Sequence, residues 1–478
     1  MKYYLMFDLG TGNSRVSLVD SNGEILGLKS FDNKYYRDDR YEDAQYIVPQ
    51  EWEDKLISAC TELCAEHPDI KVDAISSAAA RQTFMLIDKA GKVFLGLPNI
   101  DNRGKEYVGA VSNKETIYKM SGKWVTEDFG AGKLLGLKMK DFEQYSRISK
   151  ITSLSEWIGY ILTGEACMEY SHASETQLYD LQKRKWSTRI CDWYGIDIDI
   201  LPELVESGSR LGHIKDEFRD RFNLAEGAAF IVGGADTQIG IMQTDIKEGD
   251  IAIVSGTTSP VVTLKKDFFY DREERVWTDA NLGGHNYQIE MNPGVTGLNY
   301  QKMKNQFFPD VDYDEIEKYY SEMTEVRCTA SFSSLLFYRK QSLRCGGFFM
   351  RSPLQDNVNR FDLMYAVLAD IACATYEQLR RLIDISGNDP DHILGCGGGF
   401  QSETLCRMIA SLSGKPVVLK NGFRQATIQG LVAICNRTFE ISAEQEAGYT
   451  TYDPDPANLV FTYYPVWSEN RLRANSIV

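Results

Sequence analysis

At 478 residues the chain exceeds what one hydrophobic core usually organises, so two domains with a ligand-binding cleft between them are expected. A net charge of −16, with Lys and Arg scattered among more numerous acids, excludes the basic stripe that a nucleic-acid surface demands. The 43% hydrophobic content is ordinary for a soluble globular protein, and no stretch reaches bilayer-spanning length, so neither a nucleic-acid nor a membrane partner is expected.

In chain order, Tyr3 to Phe7 is an apolar strand followed by the glycine-rich turn Asp8-Leu-Gly-Thr-Gly-Asn-Ser-Arg15. Such a turn can wrap backbone N–H groups around a phosphate, although it can equally be a plain hairpin whose glycines supply positive φ. It lacks Gly-Lys-Ser/Thr and no helix begins at it, so it is not the phosphate loop of the P-loop enzymes. Arg15 to Asp20 and Glu24 to Leu28 read instead as a second and third strand. Met1 leads straight into a strand with Asp8 inside it, so no cleaved leader is expected and a cytoplasmic protein fits best.

A helix over Pro49 to Glu66 carries Trp52, Leu56, Ile57 and Leu63 at helical spacing. Ala74 to Ala80 is a strand of small residues running into Arg81-Gln82, and a hairpin over Met85 to Leu97 delivers Asn99-Ile-Asp101-Asn-Arg103. Residues 130–225 read as largely helical, including Ser153 to Gly164. Ala228 to Asp236 is a buried strand ending in Gly233-Gly234 and an acid, and the first domain closes near Thr244. The second opens with a hairpin from Asp250 whose turn, Gly256-Thr257-Thr258, repeats the first. A long helix follows around Asp362 to Ile385, then the strand Ile393 to Cys396 and the run Gly397-Gly398-Gly399-Phe-Gln-Ser402 at the opening of a helix. The ten cysteines show neither zinc-site pairing nor disulfide density and read as reduced, mostly buried thiols. The isolated histidines, His172 and His285 among them, read as hydrogen-bonded structural residues.

Phosphoryl transfer asks for donors around the phosphates, a metal near carboxylates and a base aligned with the attacking hydroxyl. Asp236 follows two glycines whose missing side chains would let a substrate approach, and its carboxylate could accept the proton of a sugar hydroxyl; it also reads as the N-cap of a helix. The bare backbone of Gly397 to Gly399 suits a flat adenosine, or simply a close strand-to-helix crossing. One turn, one Gly-Gly-x-Asp, a second turn and a Gly-Gly-Gly, in that order, carry more than any of them alone.

This ordered set resembles the FGGY carbohydrate kinases of the actin-like ATPase superfamily. The resemblance runs nearly end to end, through Asp8 to Arg15, Arg81-Gln82, Asn99 to Arg103, Trp157 to Gly164, Gly233 to Asp236, Gly256 to Thr258, Gly397 to Ser402 and Tyr452-Asp-Pro-Asp-Pro. It implies an α/β fold of two actin-like (ribonuclease H-like) domains around a deep cleft. Residues 1–244 would bind the sugar and carry the catalytic Asp, and residues 245–478 would bind the nucleotide. It further implies ATP and Mg²⁺, a small sugar or polyol as acceptor, and a homodimer as a possible assembly. Carried over residue by residue, it makes Asp236 the general base and Asp8 a holder of Mg²⁺ through water. Thr11, Gly12, Asn13 and Arg15 would meet the phosphates from one side and Gly256, Thr257 and Thr258 from the other. Gly297, Gly398, Gly399 and Ser402 would contact the rest of the nucleotide, and Arg81, Gln82, Asp101 and Asp236 would line the sugar side.

Arg81-Gln82 and Asn99 to Arg103 look most like the autoinducer-2 kinase and xylulose kinase-like branch, while glycerol, xylulose and gluconate kinases share the same scaffold. Two departures stand out. In the stretch Phe129 to Gly136, Gly136 stands where family members often have Trp. The second family signature is degraded to Gly346 to Ser352 and Tyr365 to Ile371, with Asp370 where Glu is usual, and its helix is expected to persist. A nucleotide-switched binding or scaffold protein that has lost transfer chemistry is the alternative, and hydrolysis of phosphoanhydrides on the same scaffold is a third reading.

Overall fold

Residues 1–336, 341–343, 345–441 and 448–476 are described by a computed structural model of the chain; the last two residues of the expected second domain lie outside them. The first half is built on β1 (Tyr3–Leu9), β2 (Asn13–Asp20), β3 (Ile25–Asp32), α1 (Pro49–Glu66) and β4 (Val72–Ala79). Then come β5 (Phe84–Asp88), β6 (Val93–Leu97), α2 (Gly130–Lys140), β7 (Ile148–Ser153), α3 (Leu154–Thr163) and α4 (Tyr170–Glu175). The half finishes with β8 (Arg210–Leu211), β9 (Leu224–Ala235) and α5 (Asp236–Met242). Its main sheet has the order β8-β9-β4-β1-β2-β3, with β1 antiparallel to β2 and β4 parallel to both β1 and β9.

The second half repeats this plan with β10 (Ile251–Val254), β11 (Val261–Lys265), β12 (Trp277–Ala280), β13 (Tyr287–Met291), α6 (Gly297–Phe307) and α7 (Tyr313–Glu322). These are followed by α8 (Arg360–Ser386), β14 (Ile393–Cys396), α9 (Glu403–Ser413), β15 (Val417–Lys420), α10 (Ala426–Thr438), β16 (Tyr449–Tyr452) and α11 (Val460–Ser476). Its sheet runs β12-β13-β11-β10-β14-β15-β16, again a hairpin (β10–β11) with a parallel neighbour (β14) on its inner strand.

The small residues of β4 are explained by what lies on its faces. On one side α3 comes close enough for Ser77 and Ser155 to exchange hydroxyl-to-carbonyl bonds, both at 2.8 Å. On the other, Ala74 and Ala78 pack with Ile231 against Ile428, Leu431 and Val432 of α10. A helix from the second half therefore lies directly on the first sheet, and Tyr4 Oη donates to Asn436 Oδ1 at 2.8 Å within that contact.

The stretch 130–225 is less helical than its sequence suggests, because β7 interrupts it as the third strand of a small sheet of order β6-β5-β7. Its partner β5 lies far back in the chain, where local periodicity has no view of it. The signature helix does persist as α8. It opens with a capping box, in which Asn359 Oδ1 accepts from Phe361 N and Asp362 Oδ2 accepts from Asn359 N, both at 2.8 Å. Asp370 sits buried within it, taking bonds from Trp467 Nε1 at 2.7 Å and from the backbone of Phe332 and Ser333 at 3.0 and 2.8 Å. All ten cysteines are free and all but Cys345 are buried.

Candidate active site

Strand register brings the first group together. Asp8 of β1 is paired with Ala78 of β4, which is paired with Gly234 of β9, so these three residues form one row across the central strands. Arg81 lies three residues beyond that row on one strand and Asp236 two beyond it on another, at the edge where the β1–β2 turn also emerges. On the other side of β1, Asp8 is opposite Arg15. Burial pushes the Asp8 carboxyl up to about 6, opposed by the positive charge of Arg15 and reinforced by the negative charge of Asp236. The Asp236 carboxyl is raised as well, by burial first, with Arg81, a backbone bond from Thr237 and His172 pulling the other way. Asp236 is thus within electrostatic reach of Asp8, Arg81 and His172, and Asp8 of Arg15.

Asp236 is the first residue of α5 and Ala235 holds the cap position, so Asp236 is not the N-cap; its Oδ1 accepts from Thr237 N at 2.6 Å. The two preceding glycines serve packing rather than substrate approach, which corrects the expectation from sequence. A Cβ on Gly233 would stand 1.9 Å from Ser77 O, and one on Gly234 would stand 2.6 Å from Leu282 and 3.0 Å from Glu169 Oε2.

The turn between β1 and β2 is held by its surroundings. Asn33 Nδ2 donates to Gly10 O at 2.7 Å, Tyr35 Oη to Thr11 O at 2.6 Å, and Asn99 Nδ2 to Thr11 Oγ1 at 2.8 Å. Asn13 O accepts from Gly10 N at 3.1 Å. Gly12 is exposed, with nothing within 4 Å of where a Cβ would stand. Arg15 reaches across to the second half, Nη1 donating to Gln425 Oε1 at 3.1 Å.

Arg81 and Gln82 open onto a buried polar network that sequence reading did not reveal. Arg81 donates both Nη atoms to Glu290 of β13, at 2.6 and 3.0 Å, and lies 3.5 Å from Glu175 of α4. Gln82, held at a φ of 62°, donates Nε2 to Glu175 Oε2 at 2.8 Å. Lys123 Nζ lies 3.3 Å from Glu175 Oε1 and pairs closely with Asp279 of β12. The side chains of Lys123, Glu175, Asp279 and Glu290 are completely buried. Burial alone would raise the Glu175 carboxyl, but Lys123 and Arg81 overcome it and hold it well below the usual range, whereas burial and the neighbouring Glu175 push Asp279 up against the pull of Lys123. Two cations thus face three carboxylates, one of which is driven toward its neutral form, and the network approaches balance.

Asp101 is sealed behind this wall. It has no exposed surface; Oδ2 accepts from Arg103 Nε at 2.7 Å and Oδ1 from Gln45 N at 3.0 Å. Lys133 is equally buried, donating to Gln82 O at 2.7 Å and Pro98 O at 2.6 Å, and burial lowers its ammonium to about 8. Gly136, on the same helix, is there because a Cβ would stand 2.3 Å from Arg103 O; α2 presses on the backbone that carries Asp101, leaving no room for a Trp.

The second-half segments gather at the matching edge of the other sheet. Ser255 links two of them: its N donates to Cys396 O at 2.8 Å and its O accepts from Gly399 N at 2.9 Å. Gly256 and Thr257 are exposed, and Thr257 O accepts from Thr296 N at 3.1 Å. Gly297, which opens α6, touches this turn so closely that a Cβ would lie 2.1 Å from Gly256 O. A Cβ on Gly399 would lie 2.0 Å from Ser255 Oγ, whereas Gly398 is exposed with its nearest neighbour at 3.6 Å. Ser402 caps α9, accepting from Leu405 N at 3.1 Å and donating to Glu317 Oε2 at 2.8 Å. Gly397 N in turn donates to Phe423 O at 2.8 Å, two residues from the Gln425 that Arg15 holds. Through the Arg15–Gln425, Gly397–Phe423 and Gly399–Ser255 bonds, the segments around residues 15, 397–399 and 255 are linked along one seam between the two halves.

Among the described residues no group of three or more His, Cys, Asp and Glu could hold a metal directly. The fit of a cation is instead to Asp8 and Asp236, two carboxylates raised by burial with the negative charge of Asp236 adding to the rise at Asp8, with remaining ligands coming from water and phosphate. The fit of a nucleotide is to exposed backbone at Gly12, Gly256, Thr257 and Gly398. Buried polar atoms without a partner lie along the same region: Asn99 Oδ1, Asp279 Oδ2, both amide ends of Gln238 and both ring nitrogens of His172. His172 is thus not the hydrogen-bonded structural residue expected from sequence; His285 is exposed, 3.4 Å from both Arg184 and Glu206.

Comparison with known proteins identifies the family and the fold. Residues 3–242 match the N-terminal domain of the FGGY family of carbohydrate kinases and residues 327–439 its C-terminal domain. YoaC of Bacillus subtilis, named as a sugar kinase, is 35% identical over 472 residues, covering 98% of this chain and 97% of its own. An autoinducer-2 kinase of Escherichia coli is 24% identical over 440 residues, 87% of this chain and 82% of its own. Among solved structures, a ligand-bound xylulose kinase from Lactobacillus acidophilus superposes with a TM-score of 0.84 at 18% identity, covering 100% of this chain and 99% of that one. A Plasmodium falciparum glycerol kinase with ADP gives the same score and identity over 99% and 98%. The fold is the two-domain, actin-like α/β architecture of these kinases. No helix of the described residues is long and apolar enough to cross a membrane.

Proposed function

The chain belongs to the FGGY family of carbohydrate kinases, and from that premise we propose that it transfers the γ-phosphoryl group of ATP to a hydroxyl of a small sugar, polyol or sugar-like molecule, with Asp236 as general base. One observation carries the reading: a partly buried carboxylate at a helix start, Asp236, raised by desolvation against the pull of Arg81, stands within electrostatic reach of both Asp8 and Arg81. Residues 1–244 act as the acceptor-binding and catalytic domain and residues 245–478 as the nucleotide-binding domain.

Arg81 and Gln82 present their polar groups to the acceptor and orient it. Asp236 accepts the proton of the attacking hydroxyl as its oxygen bonds to the γ-phosphorus and the bond to the bridging oxygen of ADP breaks. Arg15 and the backbone N–H groups of Thr11, Gly12, Asn13, Thr257 and Thr258 hold the phosphates and neutralise charge as it moves toward ADP, while Gly256, whose N–H is donated to Thr258 O at 2.9 Å, shapes the turn that presents them. Asp8 would hold Mg²⁺ through water, and the ion would supply positive charge to the phosphates. Gly297, Gly398 and Gly399 shape the adenosine side, and Ser402 fixes that loop through its cap. Asp101, being sealed, acts by positioning Arg103 and the backbone of Gln45 rather than by touching sugar. The relatives' names point to an autoinducer-2-like, xylulose-like or glycerol-like acceptor.

The test is ADP release from ATP and Mg²⁺ in the presence of a panel of polyols, ketoses and aldonates. Acceptor-dependent release supports the reading. Nucleotide binding with no acceptor dependence would instead make the chain a switch, and phosphate release without acceptor would make it a hydrolase.

A further inference from the structure

Helix α4 bridges the ends of two neighbouring strands of the first half, one leading into Asp236 and the other into Arg81-Gln82. At its start, Ser171 Oγ accepts from the N–H of Ala235, the residue before Asp236, at 3.0 Å. At its end, Glu175 accepts from Gln82 at 2.8 Å and lies 3.5 Å from Arg81. His172 lies between these anchors, one residue past Ser171 and three before Glu175, so its ring shares the face of the helix that looks toward Arg81 and Gln82.

That ring is completely buried, and neither Nδ1 nor Nε2 has a hydrogen-bond partner. Burying both nitrogens unpaired is unfavourable, and buried polar groups in folded proteins are nearly always satisfied by protein, water or ligand. The rest of α4 shows how complete satisfaction is elsewhere: Ser171, Ser174 and Glu175 all have partners. His172 also lies within electrostatic reach of the Asp236 carboxyl. A neutral imidazole offers one donor and one acceptor, the complement of a hydroxyl, and its donor alone matches a carbonyl.

Resting on the kinase reading of this site, we propose that His172 is a specificity-determining residue that binds a second oxygen of the acceptor, next to the hydroxyl that Asp236 deprotonates. A lone alcohol would leave the ring as unpaired as it is without ligand.

The test compares the full-length protein with His172→Leu and His172→Asn on glycerol, erythritol, D-xylulose and D-gluconate, and on the monodeoxy analogues of the best of these. In His172→Leu the acceptor KM should rise roughly 5- to 150-fold, the range for losing one buried hydrogen bond, with the KM for ATP unchanged. One monodeoxy analogue should cost the wild type a similar factor and the Leu variant nothing further, while His172→Asn recovers part of the loss. Melting temperatures of both variants should stay close to that of the wild type, because no group of the fold bonds to the ring. An unchanged acceptor KM in either folded variant overturns the proposal. So does a lowered melting temperature without an acceptor effect, which would mean ordered water within the fold satisfies the ring. Failure of the wild type to phosphorylate any panel member would remove the reading of the site itself, a result distinct from a kinase indifferent to His172.

Discussion

The two sides of the seam are made of different material. The proposed acceptor side consists of charged side chains withdrawn from water, Arg81, Lys123, Glu175, Asp279 and Glu290, each fixed by another. The proposed nucleotide side consists of backbone, much of it exposed, at Gly12, Gly256, Thr257 and Gly398. The difference follows from what each must bind. A triphosphate carries enough charge to be held by N–H groups that any open glycine turn can offer. A hydroxyl pattern carries none, so telling one sugar from another needs fixed donors and acceptors in a place where water does not compete.

The sharpest way to break the comparison is at the one carboxylate proposed to act on both substrates. Asp236→Asn should lower kcat by at least about a thousandfold while the ATP affinity, read by calorimetry, changes little. A fall of less than tenfold would move the base elsewhere.

Next in size is Arg81→Met, which leaves Glu290 and Glu175 without their cation in a dry network. Breaking one partner of a buried pair costs about 3–5 kcal/mol, so denaturant unfolding should show a loss of that order, together with a raised acceptor KM and an unaltered KM for ATP. A stability change below about 1 kcal/mol would show that water already enters this side.

Asp8 tests the boundary between the two materials. Its carboxyl is raised from 3.8 in the unfolded chain to about 6, so the folded state holds its proton more tightly. Ionised Asp8 therefore destabilises the free protein above about pH 6, by roughly 3 kcal/mol at most, and this penalty vanishes as the pH falls below the unfolded value. Asp8→Asn should accordingly raise the melting temperature at pH 7.5 and leave it unchanged near pH 4, while abolishing the stabilisation that MgATP gives the wild type. Equal gains at both pH values would assign the effect to packing rather than charge.

The smallest effects should come from the glycines, and they divide by geometry. Gly399→Ala would press on Ser255 and Gly297→Ala on the carbonyl of Gly256, so both should raise the KM for ATP severalfold and leave the acceptor KM alone. Gly398→Ala and Gly12→Ala meet open space and should be nearly neutral in melting temperature. If all four behave alike, the exposed backbone is not the nucleotide side.

Much of this was legible in the chain. The hairpin at each sheet centre, the helix Pro49–Glu66, the strand Ile393–Cys396 and the long helix α8 follow from local periodicity and turn residues. Asp236 and the glycine turns announced themselves by their order. Lys123, Glu175, Asp279, Glu290 and Gln425 did not, because a charged residue in sequence looks like a solvated one until its partner is known, and these partners lie 52 to 410 residues apart. Lys123 beside Trp124, in a turn between helices, offered at most a weak sign.

What the sequence determined by itself is the alternation of strand, turn and helix, since short-range sterics and hydrophobic spacing need only neighbours along the chain; the family resemblance came from the order of its motifs. Tertiary structure alone decided which polar residues are dry. The glycines before Asp236 and at 136 proved to be places where backbones touch, Asp101 was sealed behind the site, and His172 was left unpaired inside it. Burial and pairing depend on surfaces brought together from distant parts of the chain, and no local pattern encodes them.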